Sequence, residues 1–274
     1  MELSQEQYQH IADVFPKQRG NVKVSNLDAL NGILYVLEHG CKWRALPSRY
    51  GKWYTVYKRM NRWSKTGVLD RVFERLRAEK FVDPEVLGLD STSVKVHPDG
   101  HGARVSQGSQ AIGKSRGGWT TKIHVLASNA RTAVGFCISP GQDHDAPWGR
   151  KLLKQIGPIQ QCLPLVADRA YEGDETRQLA LDLGYQPHIP PKSNRTNPWH
   201  YDRDLYKKRN EVERLFRRLK SYRRVYTRYD KLDIIFLAFI TLALIHDTLR
   251  SVNTPWLPVP GLTWTKSRSM VPSE

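Results

Sequence analysis

Between Asn26 and Lys80, apolar residues return every three or four positions, the spacing of helices that bury one face. Leu27, Leu30, Ile33, Leu34 and Leu37 make one stripe, with Asn26 placed to cap it and Gly40 to stop it. Trp53, Val56, Tyr57, Met60 and Trp63 make a second over 53–65, interleaved with Lys58, Arg59, Arg62 and Lys65. Gly67 closes that helix, and Val68 to Lys80 predicts another. Ahead of them, Ser4 and Gln7 have capping-box spacing, so a short helix is expected up to Phe15. Past Pro84 the period changes. Residues 86–96 read as a strand, VLGLDSTSVKV, whose apolar opening ends at Asp90. Residues 120–127 and 133–139 predict two strands joined at Asn129. Leu163 to Ala167 predicts a further strand, closed by Asp168. Helices are expected up to Ile156, from Asp174 to Leu183, from Tyr206 to Lys220 and from Leu232 to Leu249, with a short strand at 186–189.

Helices followed by mixed strands and helices predict a helical N-terminal unit, 1–82, and a mixed α/β unit, 83–252. A proline-bearing tail, 253–274, completes the chain. The glycine-rich stretch 97–118, with Arg104, Lys114 and Arg116, reads as a loop suited to close approach to a phosphate backbone.

Charge narrows the picture. With 43 Lys and Arg against 27 Asp and Glu, the net charge of +16 calls for a polyanionic partner, nucleic acid first. The longest apolar run, Ile234 to Ile245, is far shorter than the roughly 20 residues that cross a bilayer, so no membrane role is expected. The first ten residues lack the pattern of a secretory signal, and three scattered cysteines predict neither a disulfide framework nor a zinc site, which together point to the cytoplasm. A basic, aromatic helix within a small helical unit suggests a helix-turn-helix-like DNA-binding module, with Lys58, Arg59 and Arg62 facing DNA.

Chemistry concentrates in the 206–220 helix. Nine Lys and Arg and only two acids, Glu211 and Glu213, lie between Lys207 and Arg224. On a helix, Tyr206, Arg209, Glu213, Arg217 and Lys220 fall on one stripe beside the apolar face of Val212, Leu215, Phe216 and Leu219. An acid among cations suits a site that holds a divalent ion while gripping phosphates. Asp90, Asp168 and Glu213 together would supply the three carboxylates of a two-metal phosphodiester site. The cluster Asp143-His144-Asp145 reads as a helix start rather than a metal site.

These blocks resemble the DDE transposases of bacterial insertion sequences, the "insertion sequence four/five" group. The resemblance runs from Leu3 to Leu249 and is carried by Tyr206-x2-Arg209-x3-Glu213-x6-Lys220, by GLDSTSVKVH around Asp90, by SRGGWTTKIH at 115–124 and by VADRAYEGDE around Asp168. It implies a ribonuclease H-like core behind an N-terminal DNA-binding region. It also implies Asp90, Asp168 and Glu213 as ligands of two Mg²⁺ ions, with Mn²⁺ as a substitute, and Tyr206, Arg209 and Lys220 on DNA near the transposon end. Double-stranded DNA, both transposon ends and target, and a homodimer or larger synaptic assembly are the implied partners. Glu211 misses the signature spacing, and Trp119 stands where the group suggests a smaller aliphatic residue. Two other readings stay open: a transposase-derived DNA-binding regulator without chemistry, and a two-metal nuclease without strand transfer.

Overall fold

The structure, a computed structural model, describes residues 1–80, 84–104 and 107–250; the tail 253–274 and the boundary at 82–83 lie outside the described residues. Helix α1 (Gln5–Gln9) has the expected capping box, the Ser4 hydroxyl taking the Gln7 N–H and the Gln7 side chain returning to the Ser4 N–H. It stops at Gln9, short of Phe15, and a 3-10 turn at Ala12–Val14 follows. Helix α2 (Asn26–His39) is capped by Ser25, not Asn26, because Asp28 stands three residues on to close a capping box with Ser25. Gly40 ends it with φ +64°, as a left-handed stop should. Helices α3 (Trp53–Lys65) and α4 (Val68–Lys80) keep the bounds their stripes predict.

A mixed sheet follows. It comprises β1 (Leu87–Val96), β2 (Gly113–Ser115), β3 (Gly118–Ala127), β4 (Ala133–Pro140), β5 (Leu163–Ala167), β6 (Tyr185–His188) and β7 (Thr227–Arg228). The order is β2-β3-β1-β5-β6, with β4 also on β3 and β7 also on β1. β1, β3 and β4 run as an antiparallel meander; β5 pairs parallel with β1, and β6 parallel with β5. An antiparallel meander extended by parallel strands on its first member is the order of a ribonuclease H-like core. The stretch read as a loop is partly a hairpin: β2 folds back on β3 through Arg116 and Gly117.

Side-chain alternation splits the sheet faces. On one face, Leu87, Leu89, Leu126 and Leu165 pack with Leu152 and Leu153 of α5 (Asp145–Ile156), Ala180 of α6 (Asp174–Asp182) and Tyr171. On the other, Ile123 and Val125 share a core with α8 (Asn210–Ser221), α10 (Asp233–Arg250) and α2 to α4. α10 is apolar all round because it lies in the middle of that core, with Phe236, Phe239 and Leu242 buried. None of the described helices is long and apolar enough to cross a membrane.

One buried ion ties this core to the sheet. Arg228, fully buried at the end of β7, donates to Asp233 at the start of α10 (2.8 Å), to Thr121 of β3 (2.9 Å) and to the carbonyls of Asp230 and Lys231. Satisfying the guanidinium on several sides is what makes burial of such a charge tolerable.

Candidate active site

The last parallel pair of β1 and β5 is Leu89 with Ala167, and the next residue on each strand is an aspartate. Asp90 and Asp168 therefore emerge side by side, on strands about 4.8 Å apart. Asp90 ends the apolar opening of its strand but not the strand itself, in keeping with the 86–96 reading. β1 runs on to Val96, because the alternation of Thr92, Val94 and Val96 continues the ladder with β3. It is β5 that ends, and the turn after it is fixed by Asp168 itself, whose Oδ1 accepts the Ala170 N–H at 2.8 Å.

Gly88 brings the third acid in. A Cβ there would stand 3.2 Å from Cβ of Val212, so the glycine lets α8 lie tightly against β1. Asp90, two residues on, shares that face, and Glu213 follows Val212 on the helix. Arg209 joins the two acids: Nη1 donates to Asp90 Oδ2 at 2.7 Å and Nη2 to Glu213 Oε1. The Ser91 N–H donates to the other Asp90 oxygen at 2.8 Å.

The 206–220 segment is not one helix. α7 (Arg203–Lys207), capped by Asp202, stops at Lys207, and α8 begins at Asn210 with Arg209 at its N-cap. Lys208 and Arg209 keep right-handed backbone angles, so the chain goes on winding, and the offset turns Arg209 onto Asp90. Tyr206 is half-buried beside Arg209, its ring edge-on to Tyr201 at 5.7 Å. Lys220 is half-buried, with desolvation holding its ammonium below the usual lysine range, and Arg217 is exposed. Glu211 turns away: it accepts the Ala130 N–H of the β3–β4 turn at 3.1 Å and pairs with Arg214.

Burial governs the electrostatics. Asp90, 8 % exposed, is raised from 3.8 to about 6, chiefly by desolvation; the Ser91 N–H and Arg209 oppose the rise, and the charges of Asp168 and Glu213 add to it. The same three carboxylates act on Arg209 and raise it against its own desolvation. Among the described residues, no three His, Cys, Asp or Glu side chains are gathered closely enough to hold one metal ion as they stand. A cation nonetheless lies between two of the acids already, the Arg209 guanidinium. Three hard-oxygen donors, one of them disfavoured as an anion chiefly by its burial, have donor chemistry that suits a divalent cation.

Sequence reasoning missed the supports behind the acids. Tyr171, wholly buried, fills a notch on α5, where a Cβ on Gly149 would stand 2.6 Å from its ring. Arg195 and Arg177 both lie over the Trp199 ring, at 4.1 and 4.7 Å, while the indole N–H donates to the Ile189 carbonyl at 2.7 Å. Arg195 also pairs with Glu172 at 2.6 Å, fastening the loop from β6 to α7 beside the Asp168 turn. The aromatic in a polar, proline-bearing loop was the available signal. Asp143 and Asp145 serve the start of α5, accepting from Trp148 and Lys122.

In the helical unit, Lys58 and Arg62 are exposed, with Lys58 lying 4.6 Å over the Tyr54 ring. Arg59 is engaged within the fold, donating to the carbonyls of Val24 at 2.9 Å and Ser25 at 2.8 Å.

Comparison with known proteins bears on the family. Residues 82–247 match the family described as "Transposase DDE domain", and residues 3–73 match "Putative transposase of IS4/5 family". The "Uncharacterized protein y4sN" of Sinorhizobium fredii (strain NBRC 101917 / NGR234) is 33 % identical over 111 residues, covering 39 % of this chain and 87 % of that protein. The "Putative transposase for insertion sequence element IS6501" of Brucella ovis (strain ATCC 25840 / 63/290 / NCTC 10512) is 30 % identical over 125 residues, covering 45 % of this chain and 94 % of that protein. A piggyBac transposase synaptic complex with hairpin DNA aligns at TM-score 0.46 and 10 % identity over 89 % of this chain and 70 % of its own. With a family match over more than half its length, the chain belongs to the DDE-domain transposases, in the insertion-sequence four/five group.

Proposed function

We infer that Asp90, Asp168 and Glu213 are the working carboxylates of this DNA transposase and that they use Mg²⁺, or Mn²⁺ in its place. The observation that supports this reading is the Arg209 guanidinium, which bonds both Asp90 and Glu213 and feels the charge of Asp168 as well. Divalent ions bound there would stabilise the attacking and leaving oxygens of an in-line displacement at phosphorus. The chain's own residues do the rest. Asp90, buried against β5, keeps its oxygens fixed through the Ser91 N–H. Arg209, with a planar fork suited to a phosphodiester, and Tyr206 and Lys220 on the same side would hold the scissile strand. Arg217, exposed about one turn beyond Glu213, would meet phosphates farther along the duplex.

Residues 1–82 would bind the terminal inverted repeats and 83–252 would carry the chemistry, with two chains needed to synapse two ends. The test incubates labelled duplex ends, taken from the DNA flanking the gene, with supercoiled plasmid and Mg²⁺. Joined end–plasmid products are expected. Nicked ends that never join would leave a nuclease, and sequence-specific footprints without any cleavage would leave a regulator.

Lys58→Ala with Arg62→Ala is expected to weaken binding of the ends and to lower the slope of log K against log[salt] by about two, one for each phosphate no longer neutralised. An unchanged slope in a fluorescence-anisotropy titration would place DNA binding off α3. Arg59 is left out of that pair because its removal would free the 24–25 turn and confuse folding with binding.

A further inference from the structure

The tip of the β2–β3 hairpin presents an aromatic surface that the catalytic site does not use. Trp119 is 45 % exposed and stacks on His101, ring centroids 5.4 Å apart and planes 25° from parallel. Lys114 is its cross-strand partner in the register and is exposed beside it. Arg116, at the turn, is exposed as well. The hairpin is built to hold this shape: Gly118 takes φ +93°, which a side chain would resist, and Lys95 Nζ donates to the Gly117 carbonyl at 2.9 Å. Asp99, the acid of the neighbouring turn, lies against His97 at 3.6 Å rather than against the cations of the hairpin.

Its position relative to the acids follows from the register. Asp90 is opposite Val125, and Trp119 lies six residues from Val125 on the same strand. An even separation puts Trp119 on the face that carries Val125 and Ile123, which is also the face of Asp90 and α8. At about 3.4 Å per residue, Trp119 is roughly 20 Å along the sheet from the carboxylates. The His101 ring behind it fixes the plane of the exposed indole, leaving one aromatic face open to a flat partner.

We propose that Trp119, backed by His101 and flanked by Lys114 and Arg116, is a stacking platform for an unpaired base of the DNA strand that leads away from the cleavage site. The cations track the backbone while the indole takes the base face, a combination that recognises single-stranded DNA without regard to sequence. The platform deepens the transposase reading and rests on DNA being the substrate of the site. It does not depend on which acids perform the chemistry.

The test measures binding by the full-length chain in EDTA, so that no cleavage intervenes. The probes are fluorescein-labelled oligo(dT) of about 16 nucleotides, long enough to span a single-strand binding site, and a mixed-sequence duplex of the same length. Trp119→Ala is expected to weaken oligo(dT) binding at least about fivefold, the lower end of what one base–aromatic stack contributes. Duplex binding should hold nearly steady, and Trp119→Phe should recover most of the oligo(dT) affinity. Lys114→Ala with Arg116→Ala should weaken both probes and flatten the salt dependence. Far-ultraviolet circular dichroism and thermal melting confirm that each variant is folded. Oligo(dT) affinity unchanged in Trp119→Ala, or lost equally with duplex affinity, would overturn the platform while leaving the transposase site standing. Wild-type chain that binds neither probe would overturn both.

Discussion

Asp90→Asn, Asp168→Asn and Glu213→Gln are each expected to cut Mg²⁺-dependent nicking of transposon ends at least about 100-fold, since even an outer-shell partner of a metal ligand costs 10- to 100-fold when removed. Each substitution keeps the side-chain shape and removes only the charge. The amide oxygen introduced by Asp90→Asn would still accept the Ser91 N–H, so the local course of β1 should survive, and binding of the ends should be nearly unchanged. Glu211→Gln is the internal control. Glu211 belongs to the β3–β4 turn through Ala130 and to Arg214, so its loss should leave nicking intact. The assay resolves 5′-labelled duplex ends on a denaturing gel, with Mn²⁺ run beside Mg²⁺. Wild-type rates in all three acid variants, or loss of nicking only in Glu211→Gln, would remove the assigned carboxylates from the chemistry.

Local pattern told most where the chain stands half in water. α3 and α4 kept their predicted bounds because each pairs a clear apolar stripe with a marked end at Gly67. The cap of α2 was displaced by one residue, since Ser25 and Asn26 are both good caps and only the reciprocal bond to Asp28 separates them. The break between α7 and α8 left no mark of its own, with neither glycine nor proline at Lys208 and Arg209. It comes from tertiary contacts: Asp202 starts one helix and Asp90 draws Arg209 away from the ideal stripe. The hairpin tip was hidden for the opposite reason. Its glycines read as a loop, and only pairing with β3 shows that Gly113–Ser115 is strand.

The meeting of the acids depended on two facts that periodicity does not contain. One is the parallel register that sets Leu89 against Ala167 and so places the two aspartates together. The other is Gly88, whose missing Cβ admits Val212 and with it the start of α8. The strand ends, the basic helix and the resemblance all point to the same three acids; the clasp of Arg209 on Asp90 and Glu213 is visible only in three dimensions.

Burial of Asp90, which that clasp only partly relieves, fixes the direction in which stability responds to pH. Its carboxyl is raised from 3.8 to about 6, by burial above all, and Arg209 only partly offsets this. Between about pH 4 and pH 6 the folded chain therefore binds more protons than the unfolded one, and metal-free stability falls as pH rises through that window. At about 1.4 kcal/mol per pH unit the ceiling is roughly 3 kcal/mol. Asp90→Asn lacks the titrating group, so the thermal midpoint of wild type should drop relative to the variant from pH 4 to pH 6.5 and then run parallel with it. Mg²⁺ or Mn²⁺ at pH 7.5 should raise the wild-type midpoint more than that of Asp90→Asn, because an ion that binds only the folded carboxylates stabilises by mass action. It must also displace Arg209 from two of them, so Arg209→Ala should require less metal for the same shift. Melting curves for wild type and Asp90→Asn that stay parallel from pH 4 to pH 8, with equal metal shifts, would mean that Asp90 ionises like an ordinary surface acid and that the cation binds elsewhere.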